Sequence, residues 1–282
     1  MEIDKDYLER FIEIAIKEDI GDGDHTSLAT IPSNLQGKVQ LLVKQDGIIA
    51  GAEVAEQVFK KLDKQIKFNL FIYDGQNVKK GDVVFTAEGD VLSLLQAERI
   101  VLNIMQRMSG IATQTRQYVD KLQGLKTRIL DTRKTTPGMR FLDKYSVKIG
   151  GGENHRMGLH DMILIKDNHI DFAGSIQKAL EKTKLYVKGK RKNLDIEIEA
   201  RTLDDINQIL AIGGVKRILL DNFTISQTKE AVKIISGKVE IESSGNINLD
   251  NIRDYAMCGV DFISVGALTH QISSMDLSLK AC

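Results

Sequence analysis

A regular alternation of short apolar segments with helical segments runs through the second half of the chain and limits the folds open to it. The last four apolar segments begin at residues 195, 217, 239 and 262, which spaces them by about the length of one βα unit. This spacing predicts a parallel sheet with covering helices. A closed eight-stranded barrel takes about 250 residues, whereas about 160 are available here. We therefore expect an open, incomplete α/β barrel.

The hydrophobic pattern also predicts the individual elements of this half. We expect strands at residues 128–131, 162–166, 195–199, 217–221, 239–242 and 262–265, and helices at residues 174–187, 203–211, 226–235 and 249–258.

The first part of the chain mixes helical and strand signals, which is typical of an α+β domain. It predicts helices at residues 4–18, 52–62 and 92–123, the last open to interruption at Gly110, and strands at residues 38–43, 47–51, 66–73 and 82–88. We place an N-terminal domain at residues 1–114 and the barrel domain at residues 115–270. Residues 271–282 are expected to pack on the N-terminal domain.

Charge and composition argue against several classes of function. The chain has 39 basic and 39 acidic residues, so nothing favours nucleic acid as a partner. No apolar run approaches the roughly 18 residues of a membrane span, and the N-terminus is charged from Glu2 onward, unlike a signal or transit peptide. Cys258 and Cys282 have no paired spacing. We expect a cytoplasmic protein without a disulfide framework or a cysteine metal site.

An unusual concentration of cations begins at the turn DTRKTTPGMR, residues 131–140. Residues 133–166 hold seven Lys or Arg against three acids, together with His155, His160 and the run Gly150–Gly152. Arginine matches carboxylate or phosphate with two donors, whereas lysine acts as a movable point charge. Glycine runs allow backbone N–H groups to approach a ligand. The mixture favours a ligand with both kinds of anion, and the alternative is a solvated basic loop.

Charged residues follow most of the predicted barrel strands, where parallel strands carry reacting groups. These strand ends carry Arg133 and Lys134, Lys166, Glu199, Asp221, Glu242 to Gly245, and Gly266 with Ala267. One charged strand end means little, but five at the same edge predict a site.

The segment LDIEIEA places Asp195, Glu197 and Glu199 on one face of a buried strand, because strand side chains alternate. Three carboxylates there need compensation by cations or a metal. The candidate compensators are Arg133, Lys134, Arg156 and Lys166. We favour structural ion pairs for Asp195 and Glu197, and a functional role for Glu199 at the strand end.

The loops at residues 243–246 and 265–267 follow the last two strands, where barrel enzymes commonly bind a phosphate. Ser244 and Gly245 also suit a simple turn before a helix. A phosphate site remains the favoured interpretation because the two loops occur as a pair.

Two further hypotheses stay open at this point. A metal could be held by His155, His160 and His169 with Asp161 and Asp167, although their spacing fits none of the compact zinc patterns. Lys166 could form a Schiff base at its strand end, with neighbouring arginines lowering its pKa.

Several long segments, in order along the chain, resemble one known family, the quinolinate phosphoribosyltransferases. They are EDIGDGDHTS (18–27), AERIVLNIMQRMSGIATQT (97–115), DTRKTTPGMR (131–140), GGGENHRMGLHDMILIKDNHI (150–170), IEIEA (196–200), LLDNF (219–223), ESSGNI (242–247) and FISVGALTH (262–270).

The resemblance implies an enzyme of NAD biosynthesis. Such an enzyme makes nicotinate mononucleotide, pyrophosphate and CO2 from quinolinate and phosphoribosyl pyrophosphate, with Mg²⁺. It implies an N-terminal α/β sandwich joined to an incomplete α/β barrel. It also implies a homodimer or higher homo-oligomer whose sites are completed by the partner subunit. A sister phosphoribosyltransferase for another ring and a non-catalytic phosphate-sugar sensor are the alternatives.

The resemblance further implies roles for individual residues. Arg133, Arg156 and Lys166 would bind the quinolinate carboxylates with His155 nearby, and Arg99 would come from the neighbouring subunit. Lys134 would face the pyrophosphate, with Thr135 beside it among the substrate-binding residues. Glu199 and Asp221 would serve the ribose hydroxyls and Mg²⁺, directly or through substrate or water.

The phosphate side of the site is implied in the same way. The residues that would surround the 5-phosphate are Ser244, Gly245, Asn246, Val265, Gly266 and Ala267. The expected catalytic residues are Lys134, Lys166, Glu199 and Asp221. Asn246 departs from the family pattern, since many relatives have a second glycine there.

Overall fold

The computed structural model describes residues 4–189 and 193–282 and divides them into two compact units. The first unit contains the described residues up to Arg116, together with Thr135–Gly151 and Leu268–Cys282. The second contains Gln117–Lys134 and the described residues of Gly152–Ala267. The boundaries that we place at residues 114 and 270 stay a prediction. No helix among the described residues is long and apolar enough to cross a membrane.

Helices and strands alternate irregularly up to the long fourth helix. In chain order they are α1 (Lys5–Ile20), α2 (His25–Thr30), β1 (Gln36–Val43), β2 (Gly47–Ile48), α3 (Ala52–Leu62), β3 (Lys67–Leu70), β4 (Asn77–Val78), β5 (Val83–Asp90) and α4 (Val91–Lys121).

Short strands and helices alternate over the rest of the chain. They are β6 (Arg128–Leu130), α5 (Arg140–Ile149), β7 (Ile163–Ile165), α6 (Asp167–Ala173), α7 (Ile176–Lys188), β8 (Ile196–Ala200), α8 (Leu203–Ile212), β9 (Arg217–Asp221), α9 (Ile225–Ile235), β10 (Glu240–Ser244), α10 (Ile252–Ala256), β11 (Phe262–Ser264), α11 (Ala267–His270) and β12 (Leu277–Ala281).

The first unit is an antiparallel sheet covered by helices, in the strand order β12-β1-β5-β3. Its core is apolar and includes Leu41 of β1, Phe59 of α3, Phe85 of β5 and Met105 of α4, all fully buried. The last strand of the chain joins this sheet, because Leu279 of β12 pairs with Leu41. The expected α/β sandwich is confirmed.

Gly110 does not interrupt α4, which runs unbroken from Val91 to Lys121. A Cβ at Gly110 would collide with the backbone oxygen of Ser273. The glycine therefore allows a close approach of two backbones, and the expectation of a break is wrong.

The second unit is an open parallel sheet in the order β6-β11-β10-β9-β8-β7. All of its strand pairs are parallel. Neighbours along the chain are neighbours in space, apart from β6 and β7, which form the two edges of the sheet described. The expected incomplete barrel is confirmed, and the predicted strands lie within two residues of the observed ones at their ends.

The basic stretch of residues 133–166 is not one loop. Arg140 begins α5, which also carries Lys144 and Lys148, so these three cations belong to the first unit. Arg140 Nε donates to Thr135 Oγ1 at 3.0 Å, and the Lys144 side chain is fully buried. The cations of the second unit in this stretch are Arg133, Lys134, Arg156 and Lys166.

The glycine run has a packing role at its first member. Gly150 ends α5, and a Cβ there would lie 2.5 Å from both Ala112 O and Thr115 Cβ of α4. Close packing against α4 already requires a glycine at residue 150, so this glycine does not indicate the expected approach of the backbone to a ligand.

Candidate active site

The parallel sheet of the second unit brings most of the predicted residues to one edge, because parallel strands end on the same side. Arg133 and Lys134 follow β6, Lys166 follows β7, and Glu199 lies near the end of β8. Asp221 ends β9, and Ser244 ends β10 and is followed by Gly245 and Asn246. Val265 and Gly266 follow β11, and Ala267 begins α11.

Asp131, for which no role is expected from the sequence, anchors the chain beside the end of β6. It is fully buried and accepts hydrogen bonds from Asn154 Nδ2 at 2.5 Å and His155 N at 2.9 Å. These bonds hold residues 154–155 against the strand end and so place Arg156. The signal in the sequence was its position at the end of a short apolar strand.

Two arginines lie close together at this edge. Burial lowers the pKa of the Arg156 guanidinium, and the positive charge of Arg133 lowers it further. Arg156 Nη1 donates to the Met162 carbonyl at 3.2 Å. Arg133 Nε is buried without a hydrogen-bond partner among the described residues. Neighbouring guanidiniums with an unsatisfied buried N–H fit a carboxylate ligand, which would relieve their repulsion.

Lys166, Glu199 and Asp221 form a second group of charges. Lys166 Nζ lies 2.6 Å from Glu199 Oε1, and the backbone N–H of Asp167 donates to Glu199 Oε2 at 3.0 Å. Burial raises the pKa of Asp221, and the negative charge of Glu199 raises it further. The two carboxylates therefore lie close enough to repel each other, as expected for acids at the ends of neighbouring strands.

A hydrogen bond connects the last residues of β10 and β11, from which the two loops start. Ser264 Oγ donates to Ser244 Oγ at 3.0 Å. Gly245 and Asn246 both have left-handed backbones, with φ of 93° and 53°. Val265 is buried, and its N–H donates to the Leu130 carbonyl at 3.0 Å, so this amide is used within the sheet.

His155 lies beneath the arginines with both ring nitrogens facing protein groups. Its Nε2 is 3.0 Å from Glu197 Oε2 and 3.4 Å from Glu242 Oε2, while the Arg156 N–H donates to Nδ1 at 2.8 Å. Burial lowers the pKa of His155, but the two carboxylates outweigh it and raise the pKa to about 9. A proton on Nδ1 is nevertheless excluded by the Arg156 amide. We therefore assign the neutral ring with its proton on Nε2.

The remaining charge in this interior is carried by Arg217 at the start of β9. It lies 2.9 Å from Glu242 and 3.9 Å from Glu197, and it stacks on the Phe262 ring at 3.9 Å. Burial and the charge of Glu242 raise the pKa of Glu197 to about 7. Glu197 and Glu242 thus share one arginine and one histidine N–H inside the barrel.

These contacts correct the expected compensators of the LDIEIEA strand. Glu197 lies 3.0 Å from His155 Nε2 and 3.9 Å from Arg217, and Asp195 pairs with Lys216 at 2.6 Å. The structural interpretation of Asp195 and Glu197 fits these contacts, and of the expected cations Lys166 pairs with the strand, at Glu199. Alternation places Arg217 on the same face of β9 as Leu219 and Asp221, but it does not indicate which acids Arg217 contacts.

Arg217→Ala should lower the free energy of unfolding by about 3 kcal/mol, because it leaves Glu242 buried without its guanidinium. Lys216→Ala is the matched control and should cost about 0.5 kcal/mol, since its pair with Asp195 is half-exposed. Urea unfolding of both variants measures the difference. Equal losses would contradict the buried role of Arg217.

The structure gives little support to the histidine metal site or to a Schiff base at Lys166. Among the described residues, the one cluster of three or more His or acidic side chains close enough to share a metal is His155, Glu197 and Glu242, so the expected set with His160 and His169 is not brought together. The proton on Nε2 and the nearby Arg217 guanidinium suit an ion-pair cluster, not a cation site. The Lys166 ammonium is half-exposed and lies 2.6 Å from Glu199 Oε1, whereas a Schiff-base lysine is typically desolvated in an apolar pocket.

Two predicted residues lie in the first unit. Thr135 accepts the hydrogen bond from Arg140, and Arg99 is exposed on α4. Their expected contribution to the site stays a prediction.

Comparisons with known proteins agree over nearly the whole chain. Two family models match, described as the N-terminal domain of quinolinate phosphoribosyl transferase over residues 24–109 and its C-terminal domain over residues 111–280. Quinolinate phosphoribosyltransferase [decarboxylating] 2, mitochondrial, of Nicotiana glauca is 41% identical over 97% of this chain and 82% of its own length.

A bacterial relative and a solved structure extend the match. The probable nicotinate-nucleotide pyrophosphorylase [carboxylating] of Bacillus subtilis is 39% identical over 96% of this chain and 92% of its own. The structure of nicotinate-nucleotide pyrophosphorylase from Francisella tularensis superposes with a TM-score of 0.92 at 39% identity, covering 100% of this chain and 98% of that one.

Proposed function

The chain belongs to the quinolinate phosphoribosyltransferase family, and on that premise we propose that the polar edge of its barrel joins quinolinate to phosphoribosyl pyrophosphate. The products are nicotinate mononucleotide, pyrophosphate and CO2, in the biosynthesis of NAD. The enzyme is a decarboxylating pentosyltransferase.

The observation that carries this function is the pair Arg133 and Arg156. Their charges repel each other, and a buried N–H of Arg133 has no hydrogen-bond partner in the part of the chain that the structure describes. Quinolinate brings two adjacent carboxylates, which suit two guanidiniums and the half-exposed ammonium of Lys166. We assign these three cations to quinolinate, with His155 supporting Arg156 through the hydrogen bond at Nδ1.

The second substrate is assigned to the neighbouring strand ends. Glu199 and Asp221 bind the ribose, and exposed Lys134 binds the pyrophosphate. The loops with Ser244, Gly245, Asn246, Gly266 and Ala267 receive the 5-phosphate. Support comes from the parallel sheet, which ends all of these segments on one edge.

The acids at this edge fit a magnesium requirement. Mg²⁺ prefers carboxylate and phosphate oxygens, and a cation would relieve the repulsion between Glu199 and Asp221. Both Glu199 oxygens already accept hydrogen bonds, so Asp221 would hold the ion more directly than Glu199. When bound, Mg²⁺ supplies positive charge for the departing pyrophosphate.

Positioning does most of the chemical work in this reaction. The pyridine nitrogen of quinolinate carries no proton at neutral pH and needs no base. Its bond to C1 of the ribose forms as the bond from C1 to pyrophosphate breaks, and Glu199 and Asp221 stabilise the positive charge of the ribose. The 2-carboxylate then leaves as CO2, its electron pair stays at C2 beside the cationic nitrogen, and a proton from water completes the product.

A homo-oligomer with shared sites is part of the proposal. Arg99 is exposed on α4 and would complete the quinolinate pocket of a neighbouring subunit, and Thr135 would line the same pocket. We place the enzyme in the cytoplasm. Cys258 and Cys282 are both free, which suits a reducing compartment.

Turnover with two pyridine acids tests the function. Quinolinate with phosphoribosyl pyrophosphate and Mg²⁺ should release CO2 and pyrophosphate in equal amounts. Nicotinate should have a kcat/KM lower by about 10²-fold, because its single carboxylate leaves pocket cations unpaired. Similar kcat/KM for both acids would overturn the assignment of Arg133 and Arg156 to the second carboxylate.

A further inference from the structure

One side chain at the sheet edge that has no assigned role, that of Asn222, lies against the loop after β10. It follows β9 directly and has a left-handed backbone, with φ of 57°. Its Oδ1 accepts a hydrogen bond from Asn246 Nδ2 at 3.1 Å. Its N–H donates to the Ser244 carbonyl at 2.9 Å. Asn222 therefore contacts the loop after β10 through both its side chain and its backbone.

Gly245 completes this contact. A Cβ at Gly245 would collide with Asn222 Oδ1 and would lie 2.6 Å from Asn222 Cγ. A glycine is therefore required at residue 245 for two reasons: its φ is 93°, and the Asn222 amide occupies the space that a Cβ would take. The side chain of Asn222 lies directly over the loop backbone.

Asn246 extends the network to the following helix. Its backbone φ is 53°, a conformation that asparagine tolerates better than most residues. Its carbonyl accepts a hydrogen bond from Asn251 Nδ2 at 3.1 Å, and Asn251 Oδ1 accepts one from Asn248 N at 2.8 Å. The loop is therefore held at one end by Asn222 and at the other by Asn251, before α10.

We propose that the Asn222–Asn246 amide pair is a positioning device that holds the loop of residues 244–246 ready for the phosphate of the phosphosugar substrate. The inference rests on the proposed function for the identity of that substrate. Asn222 also follows Asp221, so one short segment fixes the distance between the ribose-binding acid and the phosphate loop. The hydrogen bond between the two asparagine side chains thereby restrains the loop, which would be more mobile with a glycine at residue 246.

The test replaces each asparagine by glycine, which keeps the left-handed backbone and removes the amide. Asn246→Gly and Asn222→Gly should each weaken binding of ribose 5-phosphate, measured by calorimetry, by about 5- to 10-fold, as expected for one lost hydrogen bond and a freer loop. The KM for phosphoribosyl pyrophosphate should rise by the same factor. Quinolinate binding should not change.

The double variant and a matched control distinguish positioning from general damage. Asn222 also hydrogen-bonds the Asp221 carboxylate, so Asn222→Gly is the larger of the two changes. The double variant should lose no more affinity than Asn222→Gly alone, because the Asn222–Asn246 bond is already absent there. Asn34→Gly is the control, since Asn34 is exposed and left-handed, with φ of 63°, in the other unit. Its ribose 5-phosphate affinity should equal that of the wild type.

Two results would overturn the inference. One is ribose 5-phosphate affinity within twofold of wild type in both single variants, and the other is an equal loss of quinolinate affinity, which would indicate a distorted site. Failure of the proposed function appears separately, as wild-type protein that binds ribose 5-phosphate but releases no CO2 from quinolinate.

Discussion

Glu199→Gln should lower kcat by about 10³-fold while the protein still binds quinolinate, because the lost charge acts on the ribose as positive charge develops there. Asp221→Asn should act in the same way. The structure sharpens this expectation, since Glu199 also pairs with Lys166 at 2.6 Å. Removing the carboxylate frees Lys166 for quinolinate, so the affinity for quinolinate should be unchanged or tighter.

A purely structural role for Glu199 makes a different prediction. It would appear as a large drop in melting temperature with near-normal kcat in the enzyme that stays folded. Lys166 is half-exposed, so water can solvate it once its partner is removed, and we expect little loss of stability.

Asp195→Asn provides the control for the Glu199 variant. Asp195 precedes the same strand and pairs with Lys216 at the same distance of 2.6 Å, but at the opposite end. The Asp195→Asn variant should leave kcat unchanged, so a comparable loss of kcat in both variants would refute the catalytic assignment of Glu199.

Mixing two inactive variants should restore activity if the sites are shared between subunits. Arg99→Ala and Lys166→Ala should each lose about 10³-fold in kcat/KM, since each removes a cation from the quinolinate pocket. In a hybrid dimer, one of the two sites regains both residues. A random mixture with exchanged subunits should therefore recover about a quarter of wild-type activity.

A second mixture supplies the control. Lys166 and Glu199 belong to the same unit and contact each other, so Lys166→Ala mixed with Glu199→Gln cannot rebuild an intact site and should stay inactive. If the Arg99 mixture also stays inactive while labelled subunits demonstrably exchange, Arg99 does not act across subunits.

The barrel strands were predictable because their signal is local. Apolar segments such as RILL in β9 recur at regular spacing, and most of them end in a charged residue that marks the functional edge. The approximate site followed from this regularity, since parallel strands must end together. The helix α5 escaped prediction because its first residue, Arg140, follows a Pro–Gly turn within a strongly basic segment.

The partners of buried charges could not be predicted from the sequence. Glu197 was recognised as needing compensation, but its partners His155 and Arg217 come from different segments of the barrel. Asp131 looked like an ordinary strand end, yet it holds the segment that presents Arg156. Such pairings depend on how strands are stacked in space, which alternation along one strand does not encode.

The order of strands in the open sheet also determines what a truncation would remove. Strands β7 to β11 follow one another in the sheet in chain order. Strand β6 instead pairs with β11, where Arg128 lies opposite Phe262 far along the chain, and its nearer contact is the bridge from Leu130 to Glu153. A chain cut before β11 should therefore leave β6, and the turn with Arg133 and Lys134 that follows it, without its partner strand.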